Sequence, residues 1–361
     1  MAERIDPWGS GEVQDYRRLM TDFGIEPMEP YREAFKANRY IRRGIIFGHR
    51  DFGRIADSIL KKKPYVMMTG LMPSGKFHFG HKMVADQIIW HQSCGASVYV
   101  CAADLEAYVV RNIPLAEARE IAITEYLTNY LALGLKPPFT FWFQTDYKVP
   151  YYRLRDMMSK EVTFNELKAI YGEITTGKIF SAITQSADIL HPQLSGPQPT
   201  VVPVGVDQDP HIRLTRDIAA RMAHSYKMVA PSATYHTFMS GLSGGKMSSS
   251  NPASYIALTD APEVAKKKVM SAKTGGRATV EEQKKLGGVP DSCSVYELCR
   301  YHLIEDDKKL EEMRAKCESG MIMCGECKKN CAGLLERFLI EHQKKRVEAG
   351  RQARKLVEEL R

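Results

Sequence analysis

No apolar run in the 361-residue chain approaches the roughly 18 residues that a membrane span needs. The segment Met1–Asp15 holds no apolar core of the kind that directs a chain to export. Both lacks point to a cytoplasmic protein with no membrane partner. Internal repeats and low-complexity tracts are missing too, which excludes a solenoid or a disordered linker. Cysteine is scarce outside one region: of eight, six fall between Cys293 and Cys331. Without an export signal, disulfides account poorly for that clustering, and a metal or cluster site accounts for it better. What remains is ordinary for a globular chain, with 44% hydrophobic and 26% charged residues in a length that accommodates two domains. The net charge of +8 suits a polyanionic partner but is weak evidence by itself.

Residues 1–63 are polar and charge-rich, and Lys61-Lys62-Lys63-Pro64 reads as a boundary. Tyr65–Met68 then predicts a strand, Gly70–Gly75 a loop and Phe77–Trp90 a helix. Further strands are expected at Val98–Ala102, Phe139–Phe143 and Val201–Val206, with helices at Pro114–Gly134 and near Ile212–Met222. Alternating strands and helices predict an α/β fold with a Rossmann-like parallel sheet, ligands sitting at the carboxyl ends of its strands. After Ala261 only helical patterns remain, which predicts an all-helical C-terminal domain over 261–361 behind a catalytic domain over 64–260.

Two segments suit phosphate chemistry. In Pro73-Ser74-Gly75-Lys76-Phe77-His78-Phe79-Gly80-His81, two histidines three apart stand at the mouth of a helix, whose free N–H groups and positive dipole end attract phosphate. Gly80 leaves space for a flat base. The alternative is a zinc pair or two surface histidines. Gly244-Gly245-Lys246-Met247-Ser248-Ser249-Ser250 offers a cation and hydroxyls on a glycine-rich loop, suited to a departing pyrophosphate; a plain solvated loop is the alternative. A third segment, Val204-Gly205-Val206-Asp207-Gln208-Asp209-Pro210-His211, reads as a strand end turning into a helix with carboxylate and amide groups at the turn. An N-cap plus surface charge would also explain Asp209.

Together the first two segments resemble the paired signature sequences of class I aminoacyl-tRNA synthetases, in the expected order. The resemblance implies catalytic roles for His78, His81 and Lys246, the loop's second signature lysine being Ser249 here. The third segment narrows it: with Asp6-Pro7-Trp8, Arg42-Arg43-Gly44-Ile45 and Gly275-Gly276-Arg277, it resembles tryptophanyl-tRNA synthetases of the archaeal/eukaryotic type, over residues 5 to about 350. That resemblance implies ATP with Mg2+, L-tryptophan and tRNA(Trp) as partners, and a homodimer with residues near 105–190 at the interface. It places ATP against Gly70, Pro73, Ser74, Gly80, Gly205, Asp207, Lys246, Met247 and Ser248. Residues 1–63 become an extension and lid.

The amino-acid pocket departs from the eukaryotic pattern. Met68 and Cys101 stand where those enzymes have a tyrosine and a glutamine that grip the indole N–H, and an indole nitrogen only donates. Gln185-Ser186-Ala187-Asp188-Ile189-Leu190 resembles the bacterial segment whose aspartate accepts that proton, so the role falls to Asp188. A salt-bridged structural aspartate is the alternative. Glu106 matches the family glutamate near the α-amino group, Gln185 assists it, Gln208 lies between amino acid and ATP, and Met68 and Cys101 become walls.

Cys293, Cys317, Cys324 and Cys327 are spaced C-x23-C-x6-C-x2-C, which serves zinc or a [4Fe–4S] cube equally well. A minority of tryptophanyl-tRNA synthetases carry a [4Fe–4S] cluster on nearly this spacing, and the resemblance implies one here. Cys299 and Cys331 fit core packing, though Cys331 would also serve in place of Cys293. Two rival readings remain: a tyrosyl-tRNA synthetase, and a non-catalytic RNA-binding regulator of the same shape.

Overall fold

A computed structural model of the chain describes residues 15–245, 247 and 251–359. The expectations placed on Asp6-Pro7-Trp8, Lys246, Ser248 and Ser249 lie outside the described residues. The chain forms two compact units. One holds residues up to Ser74, Val84–Thr237 and Gly350 onward; the other holds Gly75–Met83 and Phe238–Ala349.

The first unit is built on a seven-stranded sheet. Its strands are β1 (Glu26–Pro27), β2 (Ile46–Arg50), β3 (Val66–Leu71), β4 (Ser97–Ala102), β5 (Thr140–Phe143), β6 (Thr200–Gly205) and β7 (Ser232–His236), in the spatial order β1-β2-β7-β6-β3-β4-β5. The five strands from β3 to β7 pair in parallel, and β1 and β2 add an antiparallel edge. Parallel strands are covered on both faces and so read as continuous apolar runs. Val66, Met67, Val100, Val201 and Ala233 are accordingly buried. Within the parallel set the third strand in sequence lies outermost and the order reverses between β3 and β6, the doubly wound arrangement with its switch point there. β3 and β6 pair only at Val66 with Thr200 and Met67 with Val201, so the two strands diverge toward their carboxyl ends.

Helices carry the residues that matter next: α1 (Phe79–Ser93), α2 (Asp104–Arg111), α3 (Val149–Met158), α4 (Thr176–Leu190), α5 (Asp209–Arg221) and α6 (Cys324–Glu358). Helices α3, α4 and α5 share one apolar cluster in which Tyr151, Leu154, Met158, Ala182, Leu190, Leu214 and Ile218 are buried. Lys61–Pro64 turns from a helix, Phe52–Leu60, into β3 within the first unit.

The predicted strands and helices are present, shifted by one to three residues at most ends. The sequence pattern does not reveal β2 and β7. Two of the polar residues of β7 are satisfied internally: Ser232 Oγ donates to the Asp51 carbonyl at 2.8 Å, and Gln87 Nε2 meets His236 Nδ1 at 3.3 Å. The second unit is helical, with Ala265, Val269, Val295, Leu298, Leu335 and Leu339 at its centre.

Candidate active site

Asp188 sits near the end of α4, almost fully buried among polar groups. Tyr151 Oη donates to its Oδ1 at 2.7 Å and Gln144 Nε2 to its Oδ2 at 2.7 Å. The buried Cys101 thiol, near the end of β4, is close enough to lower the Asp188 carboxyl slightly. Burial pushes the Asp188 carboxyl up to about 6, and Tyr151, Gln144 and Cys101 hold it from rising further. The Trp142 indole nitrogen lies beside Asp188 and Tyr151, yet no acceptor completes a hydrogen bond to it. A carboxylate has about four lone-pair sites, so one further donor fits. No salt bridge holds Asp188; its described partners are neutral donors.

One turn earlier on the same helix, Gln185 Oε1 is buried with no hydrogen-bond partner among the described residues. An orphaned buried acceptor is costly, and a ligand ammonium would satisfy it. Spacing of three along a helix puts Gln185 and Asp188 on one face. Glu106 lies in the first turn of α2, half-buried, and its backbone N–H donates to Gln144 Oε1 at 3.3 Å. The α2 start is clamped further. Arg119 Nε donates to Asp104 Oδ2 at 3.1 Å, and the Thr145 N–H donates to Asp104 Oδ1 at 3.1 Å.

Met68 is buried on β3, as the wall reading of that residue requires. Cys101 is buried on β4. Gln144, Tyr151 and Trp142 escaped the sequence analysis: they belong to no motif and stand far from Asp188 along the chain. The signal available was that a buried carboxylate requires donors, and that side chains at carboxyl ends of parallel strands face ligands.

Gly70, near the end of β3, has open space where a side chain would begin. Gly205 ends β6, and Val206–Gln208 turn directly into α5. Asp207 and Gln208 are half-buried at that turn. Asp209, however, is structural and not surface charge. It is fully buried, and takes Arg50 Nε at 2.8 Å, Arg50 Nη2 at 3.0 Å, Arg213 Nε at 3.0 Å and the Tyr235 hydroxyl.

In the second unit, the His78 and His81 rings stack at 3.8 Å between centroids. The Gly80 N–H donates to His78 Nδ1 and the His78 N–H to His81 Nδ1, both at 3.2 Å. Each Nδ1 is thus an acceptor, which leaves the proton of the neutral ring on Nε2. Burial depresses His81 to about 4; burial and then its partner ring hold His78 well below the usual value. Both rings are neutral donors at physiological pH. Among the described residues they belong to no group of three or more His, Cys, Asp or Glu side chains that could hold a metal ion. A Cβ at Gly80 would come within 3.0 Å of His78 Cε1 and 3.6 Å of Met247 Sδ, so a side chain there would press on the His78 ring. Pro73 is buried and Ser74 half-buried in the loop after β3.

The sequence profile of class I tRNA synthetases for tryptophan and tyrosine (W and Y) matches residues 60–340. The chain belongs to this family. A tryptophan–tRNA ligase of Aeropyrum pernix is 50% identical over 99% of this chain and 98% of its own length. One from Methanocaldococcus jannaschii is 48% identical over 98% of each. The crystal structure of the tryptophanyl-tRNA synthetase from Aeropyrum pernix superposes with a TM-score of 0.91, covering 98% of both chains. The Rossmann-like parallel sheet and helical C-terminal region are those of the family, and no helix among the described residues is long and apolar enough to cross a membrane.

The four candidate cysteine ligands gather in the second unit. Burial pushes Cys327 up to about 12, helped by the thiols of Cys299 and then of Cys293, Cys317 and Cys324. Cys293 and Cys324 act likewise on Cys317. Cys331 instead pairs with Cys299 in the core. Among the described residues no three His, Cys, Asp or Glu side chains form a group able to hold a metal ion, so the thiols are near one another but not closed to a ligating set.

Proposed function

We propose that the chain joins L-tryptophan to ATP, giving tryptophanyl-adenylate and pyrophosphate, and then transfers tryptophan to tRNA(Trp) in the cytoplasm. The observation that carries this reading is one helix face bearing a buried carboxylate, Asp188, and an unpartnered buried amide oxygen, Gln185. The first suits an indole N–H and the second an α-ammonium group. Tyrosine would place a hydroxyl against the same carboxylate, but the curated relatives at 48–50% identity are named for tryptophan.

Glu106 and Gln185 hold the ammonium group and Asp188 the indole, with Met68 walling the ring. This orients the substrate carboxylate for attack on the α-phosphorus; the bond from the α-phosphorus to the α,β-bridging oxygen breaks and pyrophosphate leaves, its charge one that Mg2+ would neutralise when bound. Gly70, Gly205 and Asp207 contact the adenosine, and Gln208 lies between the two substrates. The neutral His78 and His81 rings donate Nε2–H to phosphate oxygens whose charge grows in the transition state. Lys246, Ser248 and Met247 receive the departing pyrophosphate. Positioning and charge stabilisation supply the rate, without a covalent enzyme intermediate. ATP–pyrophosphate exchange with tryptophan against tyrosine tests the reading. Exchange with tryptophan alone is expected; exchange with tyrosine alone, or none, refutes it.

Residues 261–361 form the region that meets the anticodon, and Cys293, Cys317, Cys324 and Cys327 hold a [4Fe–4S] cluster, with zinc as the alternative. All-thiol donors suit either. The surroundings make room for one: a Cβ at Gly276 would fall 2.5 Å from Cys324 Sγ, and one at Gly288 2.8 Å from Cys317 Sγ. A bound cluster would staple this region. A homodimer is supported by the large apolar side chains that stay exposed between residues 105 and 190: Tyr108, Val149, Met157, Phe164 and Phe180.

A further inference from the structure

We infer that Gln144 is the positioning residue that holds the two ends of the amino-acid pocket in register. It bridges the backbone of Glu106 on one side and the carboxylate of Asp188 on the other. The inference rests on reading Asp188 and Glu106 as the contacts for tryptophan. Gln144 immediately follows β5 and is 1% exposed, and its own N–H donates to the carbonyl of Ala102, the last residue of β4, at 3.2 Å. Its side-chain amide meets two partners that accept no exchange of ends. The Glu106 N–H can only donate, so it takes Oε1, at 3.3 Å. The Asp188 carboxylate can only accept, so it takes Nε2, at 2.7 Å.

The bridge therefore has one orientation. It ties the first turn of α2, which carries Glu106, to the end of α4, which carries Asp188. The neighbouring residue repeats the clamp, since the Thr145 N–H and Oγ1 both bind Asp104 at the start of α2. Arg119 then fixes Asp104 from outside. Two consecutive residues leaving β5 thus set where α2 begins, and only Gln144 reaches across to α4. Asp188 Oδ1 is held by Tyr151, so the plane of the carboxylate is fixed by Gln144 and Tyr151 together. A fixed plane leaves the remaining lone pairs in a defined direction for one more donor. Replacing the bridge disturbs the indole contact and the ammonium contact at once, although Gln144 touches no substrate in this reading.

The test uses the full-length enzyme and two isosteric variants, Gln144→Glu and Gln144→Met, with Asp188→Asn alongside. The probes are tryptophan and its benzothienyl analogue, which has the same shape but no ring N–H. ATP–pyrophosphate exchange is measured with both from pH 5 to pH 9. Gln144→Glu keeps an acceptor for Glu106 but turns a second carboxylate on Asp188. Like charges raise the pair's affinity for protons, so the acid limb of kcat/KM should move up by about one pH unit. The preference for tryptophan over the analogue should fall ~10-fold. Gln144→Met loses both bonds and should raise KM for tryptophan ~10-fold, with kcat changing less. If both Gln144 variants keep the wild-type preference and acid limb while Asp188→Asn loses them, the inference is overturned and the pocket reading survives. A lowered Tm with preference and limb unmoved likewise reduces Gln144 to packing and overturns it. If Asp188→Asn itself keeps the wild-type preference, the pocket reading fails and the inference falls with it.

Discussion

Replacing Asp188 with asparagine keeps the shape of the side chain and removes its charge, so the indole contact can be weighed against folding. A hydrogen bond to a charged group contributes about 1.5–3 kcal/mol, and kcat/KM for tryptophan should fall ~10- to 100-fold at neutral pH. Stability should change far less. Burial raises the carboxyl from 3.8 to about 6, so keeping it ionised at neutral pH costs about 3 kcal/mol, which the neutral amide avoids. Against that gain, one end of the new amide presents N–H groups to the Gln144 or Tyr151 donors, at a cost of about 1–3 kcal/mol. The two effects nearly cancel, and Tm should stay within a few degrees. The pH profile gives a second reading. The acceptor is needed in its ionised form, so wild-type kcat/KM is full above the folded pKa and is lost as pH falls through about 6. His81 titrates lower, at about 4, and His78 is also depressed, so neither masks this limb. Asparagine has no ionisation and the limb should vanish. Steady-state exchange from pH 5 to pH 8, with thermal unfolding in parallel, makes the comparison. A variant with kcat/KM within twofold of wild type and an unchanged acid limb would refute the assignment.

Three further outcomes follow from other parts of the molecule. His81→Ala removes one neutral donor and should lower the rate of adenylate formation ~100-fold with little change in KM for tryptophan, read by single-turnover kinetics; a loss under threefold would exclude the phosphate role. Anaerobic reconstitution with iron and sulfide should give a brown protein that Cys327→Ser cannot form and Cys299→Ser can; a colourless protein holding zinc would decide for the other metal. Arg50→Met strips the bidentate partner from the buried Asp209 and leaves Arg213 and Tyr235 behind, so urea unfolding should show a loss of about 3 kcal/mol, and a loss below 1 kcal/mol would contradict the ion-pair account.

The parallel strands were legible because burial on both faces leaves a run such as Val98–Ala102 with no alternation to confuse. β7 was not. Ser232 and His236 are polar by composition but buried in the sheet, where the fold supplies partners that hydropathy cannot register. The signature histidines were visible as a pair, whereas their proton positions depend on backbone N–H groups of the turn and required coordinates. Asp188 could be selected from its local segment. The donors around it could not, since Gln144 and Tyr151 stand 44 and 37 residues away along the chain, on other elements. Asp209 shows the reverse problem: a residue inside a diagnostic segment whose contacts are those of an anchor to β2 and β7.

The backbone turn that commits both Nδ1 atoms as acceptors has a further meaning. Protonating either ring at Nδ1 would break a hydrogen bond from the turn, so neither gains charge until the medium is much more acid than the usual histidine range. In the proposed reaction, the phosphate chemistry is therefore insulated from acidity, and the sensitive group is the carboxylate that reads the indole. Acidification would reach the capture of tryptophan before it reached the phosphate chemistry, so selectivity and kcat/KM would fall together while the donors to phosphate stayed unchanged.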